Sequence, residues 1–101
     1  ARDRLLGCEL VSIGSLNASI IHPREVFKGA LLNNASRVMV AHNHPSQDPR
    51  PSREDRKVTS QLALAGCLLN VELADHIVLT DKNFFSFAAS GLIITYDAMH
   101  R

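Results

Sequence analysis

Two histidines one residue apart carry the clearest chemical signal in the sequence. His42 and His44 follow directly after a compact apolar run, Arg-Val-Met-Val-Ala, at positions 37–41. This run has the length and the β-branched residues of a buried strand. Because side chains of an extended segment alternate between its two faces, His42 and His44 can present two imidazoles to one point. Imidazole nitrogen is a common zinc ligand, so the pair predicts a metal-binding position at the end of this strand.

A carboxylate that can join the two histidines lies at the start of the next predicted helix. Ser52 and Asp55 form a Ser-x-x-Asp pattern, which taken alone is fully explained by a capping box. A cap does not, however, account for the histidine pair upstream. Zinc in catalytic sites binds three protein ligands and leaves a fourth position for water. Together the residues favour a metal site at His42 and His44, in which Asp55 could be the third ligand.

The surrounding sequence predicts the elements that bring these residues together. Six segments have the pattern of regular structure, in the order strand, strand, helix, strand, helix, strand: 5–13, 18–21, 23–33, 37–41, 52–70 and 71–80. The first two strands look like a hairpin, and Pro23 marks the beginning of the first helix. Three prolines between His44 and Ser52 restrict the loop that returns the chain to the second helix. We therefore expect an α/β (α+β) domain, a mixed sheet with helices packed on its faces.

The composition is that of one ordinary globular domain. The chain has 101 residues, 46% of them hydrophobic and 21% charged, with a net charge of +1 when histidine is neutral. These values exclude a disordered tail, and the charge gives no overall attraction to nucleic acid or to a membrane surface. No apolar run approaches the ~18 residues that span a bilayer. Cys8 and Cys67 lie in apolar contexts, so we expect two buried thiols in the reducing cytoplasm.

The motif resembles that of a known family. His42-x-His44-Pro45 followed by Ser52-x-x-Asp55 is similar to the JAMM signature of the JAB/MPN metalloprotease superfamily, and the whole run 42–55 resembles RadC proteins. Similar residues extend the resemblance over roughly positions 5–92, with one departure at Gln47, where the family usually has glycine. The resemblance implies a JAB/MPN-like (cytidine-deaminase-like) three-layer fold, with 1–101 as a single domain that lacks its N-terminal strand and any upstream helix-rich region.

The resemblance also implies a mechanism. It predicts a zinc-dependent metallopeptidase or isopeptidase in which His42, His44 and Asp55 hold the metal, a bound water attacks the substrate, and Ser52 stabilises the oxyanion. The family's general base, a glutamate, is expected upstream of residue 1. Glu9 and Glu25 are poorer candidates for this base, because exposure on a strand explains Glu9 and stabilisation of a helix N-terminus explains Glu25.

Other functions remain open at this point. RadC proteins have historically been described as DNA repair proteins, and basic residues crowd the motif: Arg50, Arg53, Arg56 and Lys57. They are consistent either with phosphate contacts or with a solvated helix face. A nucleic-acid module without peptidase activity is therefore an alternative, although a chain with one Tyr and no Trp offers little for base stacking. A metal-free scaffold and pairing of edge strands between two copies are further possibilities.

His76 has two interpretations. It lies within the apolar strand segment Ala-Asp-His-Ile-Val at positions 74–78. A hydrogen-bonded histidine inside a sheet is the interpretation we favour. The alternative is that His76 or Asp75 orients one of the metal ligands from outside the ligand set.

Overall fold

The computed structural model describes residues 7–14, 21–44 and 47–93, and these form four strands and two helices. In chain order the elements are β1 (Cys8–Ile13), α1 (Pro23–Leu32), β2 (Arg37–Asn43), α2 (Arg53–Leu69), β3 (Glu72–Leu79) and β4 (Phe84–Ser86). The predicted mixed α+β class is confirmed.

The sheet brings the carboxyl ends of three strands to one edge. Its strand order is β1-β2-β3-β4, with β1, β2 and β3 parallel and β4 antiparallel to β3. His42 pairs with Ile13 on one side and Val78 on the other, so it lies at the carboxyl edge of the central pair. The described neighbour of β1 is β2, and the expected hairpin strand at 18–21 lies largely outside the described residues.

Both helices pack on the same face of the sheet. Gly66 of α2 lies so close to the Phe27 ring of α1 and to the Val71 carbonyl that a Cβ would collide with that carbonyl oxygen. Parallel strands joined in sequence by right-handed crossovers put their helices on one side. The core between these layers is formed by fully buried side chains such as Phe27, Val40 and Leu62. The opposite face includes Leu10, which is 66% exposed, and the expected third layer has no representative among the described segments.

The helix ends follow from local chemistry. Pro23 opens α1 at a position where no backbone N–H is needed. Ser52 is the N-cap of α2, and Asn70 ends that helix in the left-handed conformation with φ 58°, which asparagine tolerates better than most residues. The predicted bounds of both helices are therefore confirmed to within about a residue.

The prediction of two buried thiols is wrong. Cys8 and Cys67 are both partly exposed, and they form no disulfide. Cys8 alternates with Glu9, whose carboxylate lies against α1, and therefore lies on the sheet face away from the helices. Cys67 follows the buried Gly66 and precedes Leu68, which is 77% exposed, so it lies at the border of the buried stripe. No helix in the described segments is long and apolar enough to cross a membrane.

Candidate metal centre

The three predicted ligands converge at the carboxyl edge of the sheet. His42 lies near the end of β2, His44 directly after it, and Asp55 in the first turn of α2. One potential ligand atom from each lies within 4.8 Å of the other two. The His44 backbone N–H donates to the Leu79 carbonyl at 2.8 Å, which extends the pairing with β3 and holds the histidine beside the strand end. Strand, loop and helix thus bring together the set that the sequence predicted.

Asp55 serves the helix cap and faces the histidines at the same time. Its Oδ2 accepts a hydrogen bond from the Ser52 backbone N–H at 2.6 Å, and the Ser52 hydroxyl accepts one from the Asp55 N–H at 3.0 Å. Its Oδ1 lies 3.3 Å from Nε2 of His42, and the residue is only 1% exposed. The capping box uses one carboxylate oxygen and leaves the other directed at the histidine. The two interpretations of the Ser-x-x-Asp pattern are therefore compatible.

A backbone carbonyl determines which ring nitrogen of His44 carries the hydrogen. Its Nδ1 lies 2.8 Å from the Asp48 backbone oxygen. A carbonyl oxygen only accepts, so Nδ1 carries the hydrogen and Nε2 of the neutral ring carries the lone pair. This Nε2 lies 3.9 Å from Asp55 Oδ2. The nitrogen that faces the carboxylate is thus the one able to bind a metal.

The loop that carries Asp48 is itself held by Arg50. The Arg50 guanidinium donates to both carboxylate oxygens of Asp48, at 2.6 to 3.0 Å. Hydrogen bonds from the Arg50 side chain and backbone lower the pKa of the Asp48 carboxyl. Arg50 is therefore engaged within the loop, while Arg53, Arg56 and Lys57 are exposed on α2.

His42 is the most enclosed of the three. It is 5% exposed, and burial lowers its pKa, outweighing the opposite effect of the Asp55 carboxylate. Its Nδ1 lies 2.9 Å from His76 Nε2. Its Nε2 is buried and has no hydrogen-bond partner among the described residues. A buried polar atom without a partner is uncommon and calls for an explanation.

A bound metal ion would account for the position of these atoms. A neutral His42 whose Nε2 lone pair faces a buried carboxylate oxygen at 3.3 Å gains nothing from that proximity unless a positive charge lies between them. Two imidazole nitrogens and one carboxylate oxygen form a usual donor set for zinc. The residues thus fit a metal ion, and their chemistry favours a borderline-soft divalent one.

His76 lies directly behind His42. It is fully buried, stacks on Phe87 at 4.8 Å between ring centroids, and places its Nδ1 2.6 Å from the Thr59 hydroxyl. Burial, with a smaller contribution from His42, lowers the pKa of His76 to about 4. The favoured interpretation, a hydrogen-bonded histidine in the sheet, describes it correctly, yet its partner is a predicted ligand. The structure therefore gives His76 the neighbouring position that the alternative interpretation required.

A bulge explains why this contact was not visible in the sequence. The β2–β3 register shifts between Val38 and Met39, so that Val40 pairs with His76. Without this shift Val40 would pair with Asp75, and His76 would point to the face away from the helices. Thr59 was also missed, since a threonine in the middle of a helix has no distinctive pattern.

The remaining acidic candidates are not in the ligand group. Glu9 pairs in register with Val38 at the far end of β2 from His42, and its carboxylate accepts a hydrogen bond from Asn33 at 3.3 Å. Glu25 is exposed in the first turn of α1. Asp75 accepts hydrogen bonds from its neighbour's backbone, from Ser86 and from Ala88, so it anchors β4 and the following turn. Among the described residues none of the three belongs to the ligand group.

Comparison with known proteins agrees with this geometry. The sequence profile of the RadC-like JAB domain matches residues 1–92. A protein of Methanosarcina acetivorans named UPF0758 protein is 51% identical over 92 residues, which cover 91% of this chain and 40% of that protein. A UPF0758 protein of Halalkalibacterium halodurans is 51% identical over 89% of this chain and 39% of that protein. A UPF0758 protein of Chlorobium chlorochromatii is 41% identical over 91% of this chain and 41% of that protein. The chain thus spans about two-fifths of the length of the curated relatives it matches.

Proposed function

Because the chain belongs to the RadC-like JAB domain family, we propose that it is the metal-binding domain of a zinc-dependent hydrolase acting on peptide or isopeptide bonds. The observation that carries this proposal is the His42 Nε2 atom, which is buried, has no hydrogen-bond partner among the described residues and lies 3.3 Å from the Asp55 carboxylate. Nothing in a purely structural capping box requires this arrangement.

The proposal assigns the ligand atoms. Nε2 of His42, Nε2 of His44 and Oδ1 of Asp55 would hold one zinc ion per chain. Zinc in such a site supplies a water nucleophile at neutral pH and polarises a substrate carbonyl. The chain's own contribution is to exclude water from His42, to lower the pKa of His42 by burial, and to hold the carboxylate in place through the Ser52 backbone.

Ser52 is the proposed donor to the substrate. Its hydroxyl oxygen accepts from the Asp55 N–H at 3.0 Å, so the cap does not use the hydroxyl proton. The residue is exposed at the N-terminus of α2. Its O–H can therefore donate to a carbonyl oxygen as negative charge develops there, next to the positive end of the helix dipole.

Proton transfer is assigned to a group outside this set. Glu9 lies at the far end of β2 from His42, and Glu25 is not in the ligand group, so the described residues account for metal binding and for oxyanion stabilisation. We therefore propose hydrolysis of a substrate for the longer proteins in this family, and metal binding for this chain itself.

Metal content tests the proposal. We expect about one zinc per purified wild-type chain after zinc is supplied, measured by elemental analysis, and none in His44→Ala. His22→Ala is the matched control, because His22 is exposed and lies outside the ligand group; it should bind zinc as the wild type does. Absence of metal from the folded wild-type chain would refute the proposal.

The nucleic-acid alternative makes a different prediction. It requires DNA affinity that falls steeply with salt and that weakens when Arg53 and Arg56 are replaced by glutamine. Arg50 does not support it, because that guanidinium is bonded to Asp48. DNA binding of this kind by a chain that fails to bind zinc would favour the alternative over the hydrolase.

A further inference from the structure

A buried series of hydrogen bonds joins the helix to one of the proposed ligands. It runs from the Asp55 backbone carbonyl to the Thr59 hydroxyl at 2.7 Å, from that hydroxyl to His76 Nδ1 at 2.6 Å, and from His76 Nε2 to His42 Nδ1 at 2.9 Å. All four residues are at most 5% exposed. Water therefore has little access to the series, and each atom depends on its protein partner.

The carbonyl at one end determines the direction of every bond. A carbonyl oxygen only accepts, so the Thr59 hydroxyl gives its single hydrogen to Asp55. Towards His76 the same hydroxyl can then only accept, so His76 Nδ1 carries a hydrogen. Neutral imidazole has one N–H, which leaves a lone pair on His76 Nε2.

The lone pair on His76 Nε2 sets the proton of His42. At 2.9 Å the two rings need one hydrogen between them, and His76 has none to give at that nitrogen. His42 Nδ1 must therefore donate, and the lone pair of His42 falls on Nε2, the atom that faces Asp55. The reversed direction would put a hydrogen on Nε2, where it would block the approach of a metal.

We propose that Thr59 and His76 are positioning residues that hold His42 in the Nδ1–H tautomer with Nε2 directed at the metal position. The proposal rests on the proposed function, since it gives the series a purpose in metal binding. It also makes Asp55 act twice, through its carboxylate on the ligand side and through its carbonyl at the start of the series. Asp55 and Thr59 are four residues apart, so one turn of α2 holds the first two members of the series.

The burial of His76 supports a role beyond packing. An apolar side chain could fill the space against Phe87, whereas this histidine satisfies both ring nitrogens through Thr59 and His42. The ring is fully buried, and burial favours the neutral form of an imidazole. Partners that orient a ligating histidine through its second nitrogen are a general feature of metal sites.

The wild-type chain tests the proposal without any substitution. We would measure imidazole ¹⁵N shifts in the metal-free protein at pH 7.5, where a neutral ring distinguishes its protonated nitrogen from its unprotonated one. The expected result is a protonated Nδ1 and an unprotonated Nε2 in both His42 and His76. A His42 ring with its hydrogen on Nε2 would overturn the proposal.

Two substitutions at one position then test the source of the tautomer. Thr59→Val removes the hydroxyl at nearly constant shape, while Thr59→Ser keeps it. We expect Thr59→Val to mix the His42 tautomers and to weaken zinc binding about 10-fold in a chelator competition. Thr59→Ser should keep the wild-type tautomer of His42 and the wild-type zinc affinity. Thr80→Val is the control, because the Thr80 hydroxyl bonds the Asn83 carbonyl in a turn outside the series. Wild-type tautomer and affinity in Thr59→Val would overturn the proposal.

The outcomes also separate this inference from the proposed function. A chain that shows the expected tautomers but binds no zinc overturns the hydrolase proposal and the ligand-positioning role together. A chain that binds zinc but has the opposite tautomer of His42 when metal-free overturns only the positioning role.

Discussion

Oδ1 of Asp55 lies 3.3 Å from Nε2 of His42, while the other oxygen of the same carboxylate accepts the backbone N–H of Ser52 at 2.6 Å. The carboxylate therefore links the end of β2 to the start of α2. The helix cap positions a proposed ligand, and the geometry of the proposed ligand set in turn depends on where the helix begins.

Asp55→Asn should separate the helix-capping role of Asp55 from its proposed role as a metal ligand. The amide oxygen of asparagine can still accept from the Ser52 N–H, and its NH₂ group can donate to His42 Nε2. We expect the metal-free domain to keep its stability within about 1 kcal/mol, while zinc binding falls below detection. Chemical denaturation in chelator and elemental analysis measure the two effects, with Asp55→Ala as the comparison that should lose both. Zinc retained by Asp55→Asn would show that this carboxylate is not a ligand.

Metal removal should lower the stability of the fold. Zinc that binds the folded chain and not the unfolded one stabilises it by about 3 kcal/mol at a free concentration 100 times the Kd. Thermal unfolding of the wild type should therefore occur at lower temperature after chelation and recover when zinc returns. In His44→Ala the midpoint should not respond to zinc, whereas in His22→Ala it should respond as in the wild type. If zinc raised the unfolding midpoint equally in His44→Ala and in the wild type, the stabilising metal would not be bound by His44.

Acid should destabilise the metal-free domain between pH 6.5 and pH 4. The pKa of His76 is lowered by burial from 6.5 to about 4, so in this interval the unfolded chain binds a proton that the folded chain does not. Stability from this group is complete above the unfolded pKa and is lost as the pH falls, at roughly 1 kcal/mol per pH unit.

The pKa of His42 is also lowered by burial, so its contribution has the same sign. His76→Gln should flatten the pH dependence, and His22→Ala should leave it unchanged. Urea titrations across this range measure the slope. Stability that rises as the pH falls to 4 would contradict the assignment of a neutral, buried His76.

Ser52 should contribute separately to the cap and to the reaction. Ser52→Gly removes the hydroxyl donor without adding another, and glycine is tolerated at an N-cap, so metal content and stability should change little. In a longer family protein with measurable hydrolase activity, we expect kcat to fall about 100-fold. Ser52→Ala should show the same loss of kcat together with about 1 kcal/mol of destabilisation. Full activity in Ser52→Gly would exclude the hydroxyl as the oxyanion donor.

Local patterns explain how much of this site the sequence could predict. The apolar run before His42, the spacing to His44 and the Ser-x-x-Asp pattern each depend on neighbouring residues in the chain, and the structure brings the predicted ligands together. The ends of α1 and α2 depend on Pro23 and Ser52, which act through their own backbone and side chain.

The parts that sequence reasoning missed depend on contacts between distant segments. One bulge between β2 and β3 moves His76 to the helix-facing side of the sheet, and only the packing of α2 on β3 puts Thr59 beside it. The parallel pairing of β1 with β2 likewise needs the crossover through α1. The hydrophobic periodicity of the sequence does not reveal a register shift of one residue between two strands.

The central claim is that His42, His44 and Asp55 hold one metal ion, and diffraction from zinc-loaded crystals tests it most directly. Data collected on both sides of the zinc absorption edge locate the ion without reference to any assumed site. We predict a single anomalous peak per chain, in contact with Nε2 of His42, Nε2 of His44 and Oδ1 of Asp55. A zinc-loaded chain with no peak there, or with zinc bound through Nδ1 of His42, would contradict the account.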